Sequence, residues 1–212
     1  MFKAAAILVT LCCAFPSFGE VLHVEYSRFY SHTKKLDNED TQALQFAFGF
    51  LRVGENRLCE INHAQIVTDK QTLPLEVSEE GRFTVPTDKV LKMAQAMVEV
   101  DLVEAANLCD MSVQLETKPE YLKLAYSQQD LNFLLEQYRA FFNAMGSFLS
   151  FMMPSVEGLS FQFEDKHLTT APTEQQPSIT MGTLTLSEAW ISDHDELTLP
   201  LTPIRVTAKA SK

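Results

Sequence analysis

The chain has 212 residues, with 17 Lys and Arg against 28 Asp and Glu, so its formal net charge at pH 7 is −11. This balance argues against binding to nucleic acid or to anionic membrane surfaces, since both require clustered basic side chains. A chain of this length can bury a substantial core, either as one domain or as two closely packed ones.

The first nineteen residues have the features of a secretory signal peptide. Lys3 supplies a short positive segment, and residues 4–15 form an apolar run that is shorter than the roughly 20 residues of a membrane-spanning helix. Small residues at Ser17 and Gly19 predict cleavage before Glu20. The sequence therefore predicts an exported, periplasmic protein, and no later segment has the uninterrupted apolar length of a transmembrane helix.

The cysteines support the same compartment. Cys12 and Cys13 lie in the signal segment, and lipidation there is the less favoured alternative because a lipidated Cys should follow a small residue. Cys59 and Cys109 remain in the mature chain. An even pair in an exported protein predicts a disulfide rather than two buried thiols, and a bridge of this span stabilises by roughly 4 kcal/mol on the chain-entropy model.

Alternating apolar residues predict the first strands. The run Val21–Tyr30 begins with alternation and predicts a strand, and the polar Ser31–Asp40 predicts a loop. Ala43–Leu51 is the clearest strand, with four large apolar side chains on one face. Arg57–Thr68 is expected to return as its partner, with a bulge near Asn62 where the alternation changes phase.

Shorter elements follow. Leu73–Val77 and Arg82–Val85 predict a hairpin, and Pro86 begins a short helix that continues to about Gln95. Residues 98–102 and 111–115 alternate as strands, the second with Met111, Val113 and Leu115 expected to face the core. Several short strands with frequent turns predict a sandwich-like half over residues 20–117.

A long amphipathic helix is predicted over Gln128–Met153. Apolar side chains recur there every three or four residues, Ser127 and Asp130 form a capping box, and Pro154 ends the helix. A short helical turn starting near Thr117 is expected to precede it.

Three further strands complete the C-terminal half. Residues 159–163, Ile179–Ser187 and Leu197–Ala208 alternate, and Pro200 and Pro203 restrict the last one to a sheet edge or a broken strand. The predicted fold class is thus α+β and β-rich, with a sandwich-like N-terminal half and one long amphipathic helix packed on a C-terminal antiparallel sheet. Residues 118–212 form this second half, either as a separate domain or continuous with the first.

Three runs of residues carry a resemblance to a known family. They are KKLDNEDTQALQFAFGF, CDMSVQLETKPEYL and MGSFLSFMMP, at residues 34–50, 109–122 and 145–154. The chain resembles an uncharacterised family of small, signal-peptide-bearing envelope proteins of gammaproteobacteria. The resemblance implies a bacterial envelope protein and brings no activity and no catalytic residue.

No sequence motif indicates catalysis, a cofactor or a metal. His23 and Glu25 share one strand face but are better explained as a solvated surface, and the cluster Asp193–Glu196 as an acidic turn. Ser31 and Lys34 match a penicillin-binding Ser-x-x-Lys pair in letters alone, since its two companion motifs are absent. We predict no catalytic residue, no cofactor and no metal ligand.

The uncharged end of the long helix is the feature that points to a partner. From Ala140 to Val156 there is no charged residue. A core helix is the favoured explanation, and a partner-binding or lipid-facing surface is the alternative; its candidate residues are Phe148, Leu149, Phe151, Met152 and Met153.

Three functional hypotheses follow from these features. The leading one is a non-enzymatic exported protein that binds an envelope protein or a lipid-like ligand. The second is a periplasmic hydrolase that uses dispersed carboxylate and His residues, which requires those side chains to converge in a concave pocket. The third is a structural accessory protein without a ligand site. Whether the chain is an enzyme is thus left open, with a non-enzymatic role favoured.

Overall fold

A computed structural model describes residues 20–145, 155–173 and 176–211. The N-terminal elements are β1 (Glu20–Glu25), α1 (Tyr26–Thr33), β2 (Leu44–Arg52), β3 (Ile61–Val67), β4 (Thr72–Leu75), β5 (Phe83–Thr84), α2 (Lys89–Met93), β6 (Met97–Leu102) and β7 (Cys109–Thr117). The C-terminal elements are β8 (Ala125–Ser127), α3 (Gln128–Met145), β9 (Val156–Gln162), β10 (Ile179–Thr180), β11 (Thr183–Ser187), α4 (Glu188–Asp193), β12 (Glu196–Thr198) and β13 (Arg205–Ala210).

Antiparallel sheets make up most of the fold. The N-terminal half contains one sheet in the order β1-β6-β3-β4 and another in the order β5-β2-β7. The C-terminal half contains the sheet β10-β11-β9-β13 and the short pair β12-β8. Helix α3 packs on β9. The predicted α+β class is therefore confirmed, with a helix on the C-terminal antiparallel sheet.

The buried side chains of both halves form one apolar cluster. The face of β2 predicted to be apolar is buried throughout, from Leu44 to Phe50. On β9 and just beyond it, Leu159, Phe161 and Phe163 are buried as the alternation predicts. The division of the chain at residue 117 stays a prediction. Strand β8, which follows this position, pairs with β12, and its Tyr126 lies in the common apolar cluster.

The first strand is shorter than predicted. It ends at Glu25, and Tyr26–Thr33 forms α1 where the alternation predicted continued strand and then loop. Tyr26 and Phe29 are fully buried, so burial after Glu25 follows the three- to four-residue spacing of a helix. Aromatic residues suit either structure, and here the tertiary contacts decide: the Tyr26 hydroxyl donates to the Pro86 carbonyl at 2.6 Å.

The predicted pairing of β2 with the following strand is wrong. Strand β3 pairs with β6 and β4, whereas β2 pairs with β5 and β7. A single bridge between Leu51 and Leu58 is all that remains of the expected hairpin. The bulge near Asn62 is confirmed, since the register of β3 against β6 shifts between Ile61 and His63. Alternation identifies a strand's faces but does not identify its partner.

Strand β7 does not bury its apolar face as predicted. Met111 is 41% exposed and Val113 is 36% exposed. They lie opposite the buried Phe50 and Phe48 of β2, on the same face of the sheet. The difference arises because β7 is the edge strand of its sheet, where the layer that covers β2 no longer reaches.

The sequence signals for helix starts agree with the structure, although α2 begins at Lys89 rather than at Pro86. Asp88 caps α2 by accepting from the Val90 amide at 2.6 Å. In the capping box of α3, Asp130 accepts from the Ser127 amide at 3.0 Å, and Ser127 Oγ accepts from the Asp130 amide at 3.1 Å. The short turn before it is a single 3-10 turn, Pro119–Tyr121.

The predicted hairpin over Leu73–Val85 is wrong, and the predicted break in the last strand is confirmed. The predicted hairpin after Leu73 keeps one bridge, Val77 to Phe83, and its two strands belong to different sheets. The last predicted strand is broken into β12 and β13 by the segment that contains Pro200 and Pro203, and β13 is an edge strand.

The predicted disulfide between Cys59 and Cys109 is present, with Cα atoms 6.2 Å apart. The described part of the long helix ends at Met145. The candidate partner residues at its far end, Phe148, Leu149, Phe151, Met152 and Met153, lie outside the described residues, so that assignment stays a prediction.

Candidate ligand groove

Two histidines and their carboxylate partners lie on an open sheet face. His23 Nδ1 is 3.3 Å from Glu99, and not beside Glu25 as a shared site would require; His63 Nδ1 is 3.3 Å from Asp101. Both pairs stand on one face of the β1-β6-β3 sheet, and the two histidine side chains are more than half exposed. These pairs therefore do not form the concave pocket that the hydrolase hypothesis requires.

The remaining predicted candidates have structural partners. In the acidic turn, the His194 ring stacks on Trp190 with centroids 4.1 Å apart, and the Asp195 carbonyl accepts from the Gln128 amide. Ser31 lies in α1 and donates to the Arg28 carbonyl at 2.6 Å. Each of these residues therefore has a structural contact within its own part of the fold.

One group of possible metal ligands occurs among the described residues. Cys59, Cys109 and Glu104 bring their ligand atoms within 4.8 Å of one another. The two sulfur atoms are bonded to each other, so they are not available as thiolates. The geometry is that of a disulfide beside a carboxylate.

The most distinctive concave feature lies between the edge strands β7 and β13, above α3. It is a groove of about 430 Å³, within the range of small-molecule sites. Seven of its lining residues are apolar: Phe46, Val113, Leu115, Phe141, Phe142, Met145 and Ala208. The others are polar: His32, Lys35, Gln114, Tyr138 and Thr207. We call this feature the groove.

Aromatic rings form the wall of the groove where β2 meets α3. The rings of Phe46 and Phe141 meet edge to face with centroids 5.7 Å apart, and Phe142 packs on Phe141 at 5.4 Å. His32 meets Phe46 at 5.7 Å. Burial, and secondarily the charge of Lys35, lowers the pKa of His32, which favours the neutral ring at pH 7.

Tyr138 closes one end of the groove. Its hydroxyl donates to the Val206 carbonyl of β13 at 2.7 Å and lies 3.0 Å from Thr117 Oγ1 of β7. The side chain is fully buried, and burial raises its pKa far above the usual value, so the hydroxyl stays protonated. One residue of α3 thus joins the two edge strands where they come together.

Arg205 makes a second joint at the same end, at the start of β13. It donates through Nε to Glu116 of β7 at 2.8 Å and through Nη1 to Gln162 of β9 at 3.0 Å, and it pairs with Glu80. The turn that carries Glu80 crosses β2 closely, because a Cβ atom at Gly49 would lie 2.9 Å from the Gly81 carbonyl. Beyond these joints β7 and β13 share no ladder among the described residues, and the groove lies along their separated parts.

Two larger cavities are less suited to an apolar ligand. One, of about 600 Å³, lies beside Arg139, whose guanidinium is already paired with Glu136 and Glu188. The other, of about 670 Å³, is a shallow polar depression on the outer face of β13 near Lys209. Volume alone favours these cavities, but the groove has the larger apolar share of its lining.

The sequence did not reveal the groove. Its lining comes from α1 and the turn after it, β2, β7, α3 and β13, which are far apart in the chain. The prolines before β13 were the one available signal, since they indicated an edge strand there. Nothing in the sequence placed that edge beside β7.

Comparison with known proteins gives a family and no activity. Residues 18–163 match the family described as "Protein of unknown function (DUF2987)". The match covers more than half of the chain, so the protein belongs to this family. No curated protein and no solved structure matches the chain.

None of the described helices combines the length and the apolar character needed to cross a bilayer.

Proposed function

We propose that this protein is an exported, non-enzymatic binding protein that holds the hydrocarbon part of a lipid-like ligand in the groove. The observation that carries the proposal is the lining itself: apolar side chains stay accessible between two edge strands. Val113 at 36% and Met145 at 48% exposure are large apolar groups that a fully packed core would cover.

The closed end of the groove favours a lipid over a peptide. An extended peptide that paired with β7 or β13 would continue along the strand edge. Tyr138 and Arg205 tie those edges together at one end, which blocks that path. A single hydrocarbon chain needs only an apolar dead end, and the cluster around Phe46 and Phe141 provides one.

Export is supported by two features. The Cys59–Cys109 disulfide is compatible with an oxidising compartment. The N-terminal segment has the composition of a signal peptide. Fractionation of cells that express the full chain tests this part: we expect a periplasmic product whose N-terminus is Glu20. A product that stays in the cytosol with residues 1–19 attached would contradict it.

A neutral fluorescent probe tests the binding part. We expect N-phenyl-1-naphthylamine to bind the mature chain and to bind Val113→Glu much more weakly, because the new carboxylate would lie in the apolar lining. Val90→Glu is the matched control, since Val90 is 70% exposed on α2 and lies outside the groove.

Two outcomes would contradict the binding proposal. One is a wild-type protein that does not bind the probe, and the other is equal loss of binding in both variants. A folded wild type without probe binding would favour a structural accessory role.

A further inference from the structure

We propose that the ligand of the groove is a long-chain fatty carboxylate, with its chain against Phe46 and Phe142 and its carboxylate at Lys35. This inference rests on the proposed function and adds the chemical class of the ligand. It is drawn from the distribution of charge around the groove.

Among the described residues that line the groove, Lys35 alone carries a permanent charge. It lies on the turn after α1, is exposed, and therefore sits at the groove mouth rather than in its interior. Among the described residues its ammonium forms no ion pair, although the chain has a large excess of carboxylates. Asp37, Glu39 and Asp40 follow it in sequence, and none of them lines the groove.

The lining selects an anion of low charge. A phosphate group is usually met by several donors or by the fork of an arginine, because it presents several strong acceptor oxygens. The groove offers one ammonium, and its other accessible polar groups are the half-buried side chains of His32, Gln114 and Thr207. That set contains one charged donor and no arginine, so it matches the two oxygens of a carboxylate better than a phosphorylated head group.

The size of the groove is consistent with one chain. About 430 Å³ lies at the lower end of the range for small-molecule sites, and the joint at Tyr138 limits the depth. A ligand with two acyl chains would need a second channel. The cavity beside Arg139 shares Phe142 with the groove but is lined by four charged residues, Arg139, Glu157, Glu188 and Lys209, which suit a hydrocarbon chain poorly.

Competition against the neutral probe tests this inference. Three competitors are titrated against bound N-phenyl-1-naphthylamine: hexadecanoate, its methyl ester and a hexadecanoyl lysophospholipid. Each is tested on the mature protein and on two variants, Lys35→Glu and Lys34→Glu. Lys34 is the matched control because it is exposed on the same turn and lies outside the groove.

The expected result is a preference that depends on Lys35. Hexadecanoate should displace the probe about tenfold better than its methyl ester, which is the order expected for a hydrogen bond to a charged group. Lys35→Glu should remove the preference, whereas Lys34→Glu should keep it. Probe binding itself should be unchanged in Lys34→Glu, which lies outside the groove, and competition in Lys35→Glu is measured relative to that variant's own affinity for the probe.

Three results would overturn the assignment while leaving the proposed function in place. One is equal competition by the acid and the ester, and another is a preference that survives Lys35→Glu. The third is tighter binding of the lysophospholipid than of hexadecanoate.

A variant in which residues 146–154 are replaced by a Gly-Ser linker tests whether this segment of the chain, rather than a ligand, occupies the groove. If hexadecanoate bound only to that variant, the groove would belong to the chain's own apolar segment and the assignment would be wrong. If the probe did not bind to the wild type, the proposed function itself would fail.

Discussion

Replacing Tyr138 with Phe is predicted to weaken the joint between the two edge strands. The substitution removes one oxygen and keeps the ring, so the packing of α3 on the sheet is unchanged. It takes away the donor to the Val206 carbonyl and the partner of Thr117 Oγ1. Val206 and Thr117 are buried, so water cannot easily replace the lost bonds.

The expected loss of stability is about 2 kcal/mol. Each neutral hydrogen bond contributes roughly 1 kcal/mol net, and a buried acceptor left without a donor adds to the cost. For a domain of this size, that free energy lowers the melting temperature by roughly 4–8 °C. Thermal unfolding of the mature protein followed by circular dichroism measures the shift.

Tyr30→Phe is the matched control. Among the described hydrogen bonds the Tyr30 hydroxyl has none, and its ring keeps its contact with Lys92. We expect a melting temperature close to that of the wild type. If Tyr138→Phe also melted within about 1 °C of the wild type, the joint would contribute under about 0.5 kcal/mol. The assignment of Tyr138 as the closure of the groove would then be wrong.

Four further predictions use the same folded protein. Arg205→Ala should lower the free energy of unfolding by about 3 kcal/mol in chemical denaturation, because it leaves the partly buried Glu80 and Glu116 without a counter-charge. If Arg205→Ala lost no more stability than Arg205→Lys, the contacts of the guanidinium with both glutamates would not matter. Reduction of the Cys59–Cys109 bridge should cost roughly 4 kcal/mol, and an unchanged denaturation midpoint in reductant would contradict this. Asp130→Ala should cost about 1 kcal/mol through the lost cap of α3, and an unchanged midpoint would argue against the capping box. Burial lowers the pKa of His32 below 6.5, so on acidification the unfolded chain binds a proton before the folded chain does, and the free energy of unfolding falls as the pH drops below about 6.5. His32→Gln should make this pH dependence of the unfolding free energy less steep. An unchanged pH dependence would mean that other groups cause it.

The parts of the fold that the sequence predicted are those governed by local chemistry. The capping box at Ser127 depends on residues three positions apart, and the break before β13 depends on Pro200 and Pro203. The alternation predicted β2 correctly because large apolar side chains occupy every second position. The disulfide followed from the count of cysteines in a chain expected to be exported.

The parts that the sequence did not predict depend on which elements become neighbours. After Glu25 the aromatic residues suit a strand as well as a helix. The hydrogen bond from Tyr26 to Pro86 joins residues that are 60 positions apart, so no local pattern predicts it. The partner of β2 is β7 and not the next strand, because pairing is decided by the whole core.

The groove is the clearest example of a feature without a local signal. Val113 alternates like a core residue, and it is exposed only because β7 is an edge strand. Lys35 lies in a run of charged residues that the sequence describes simply as polar. Their closeness to Phe142 results from packing between distant segments.

Photo-cross-linking is the most direct test of the claim that the groove holds a hydrocarbon chain. A neutral long-chain alkyl diazirine would be irradiated with the mature protein, and the labelled peptides would be mapped by mass spectrometry. We predict labels on residues 113–115, 141–142 and 207–208, and their loss in Val113→Glu but not in Val90→Glu. Labels confined to other surfaces, or labels that both variants retain equally, would contradict the account.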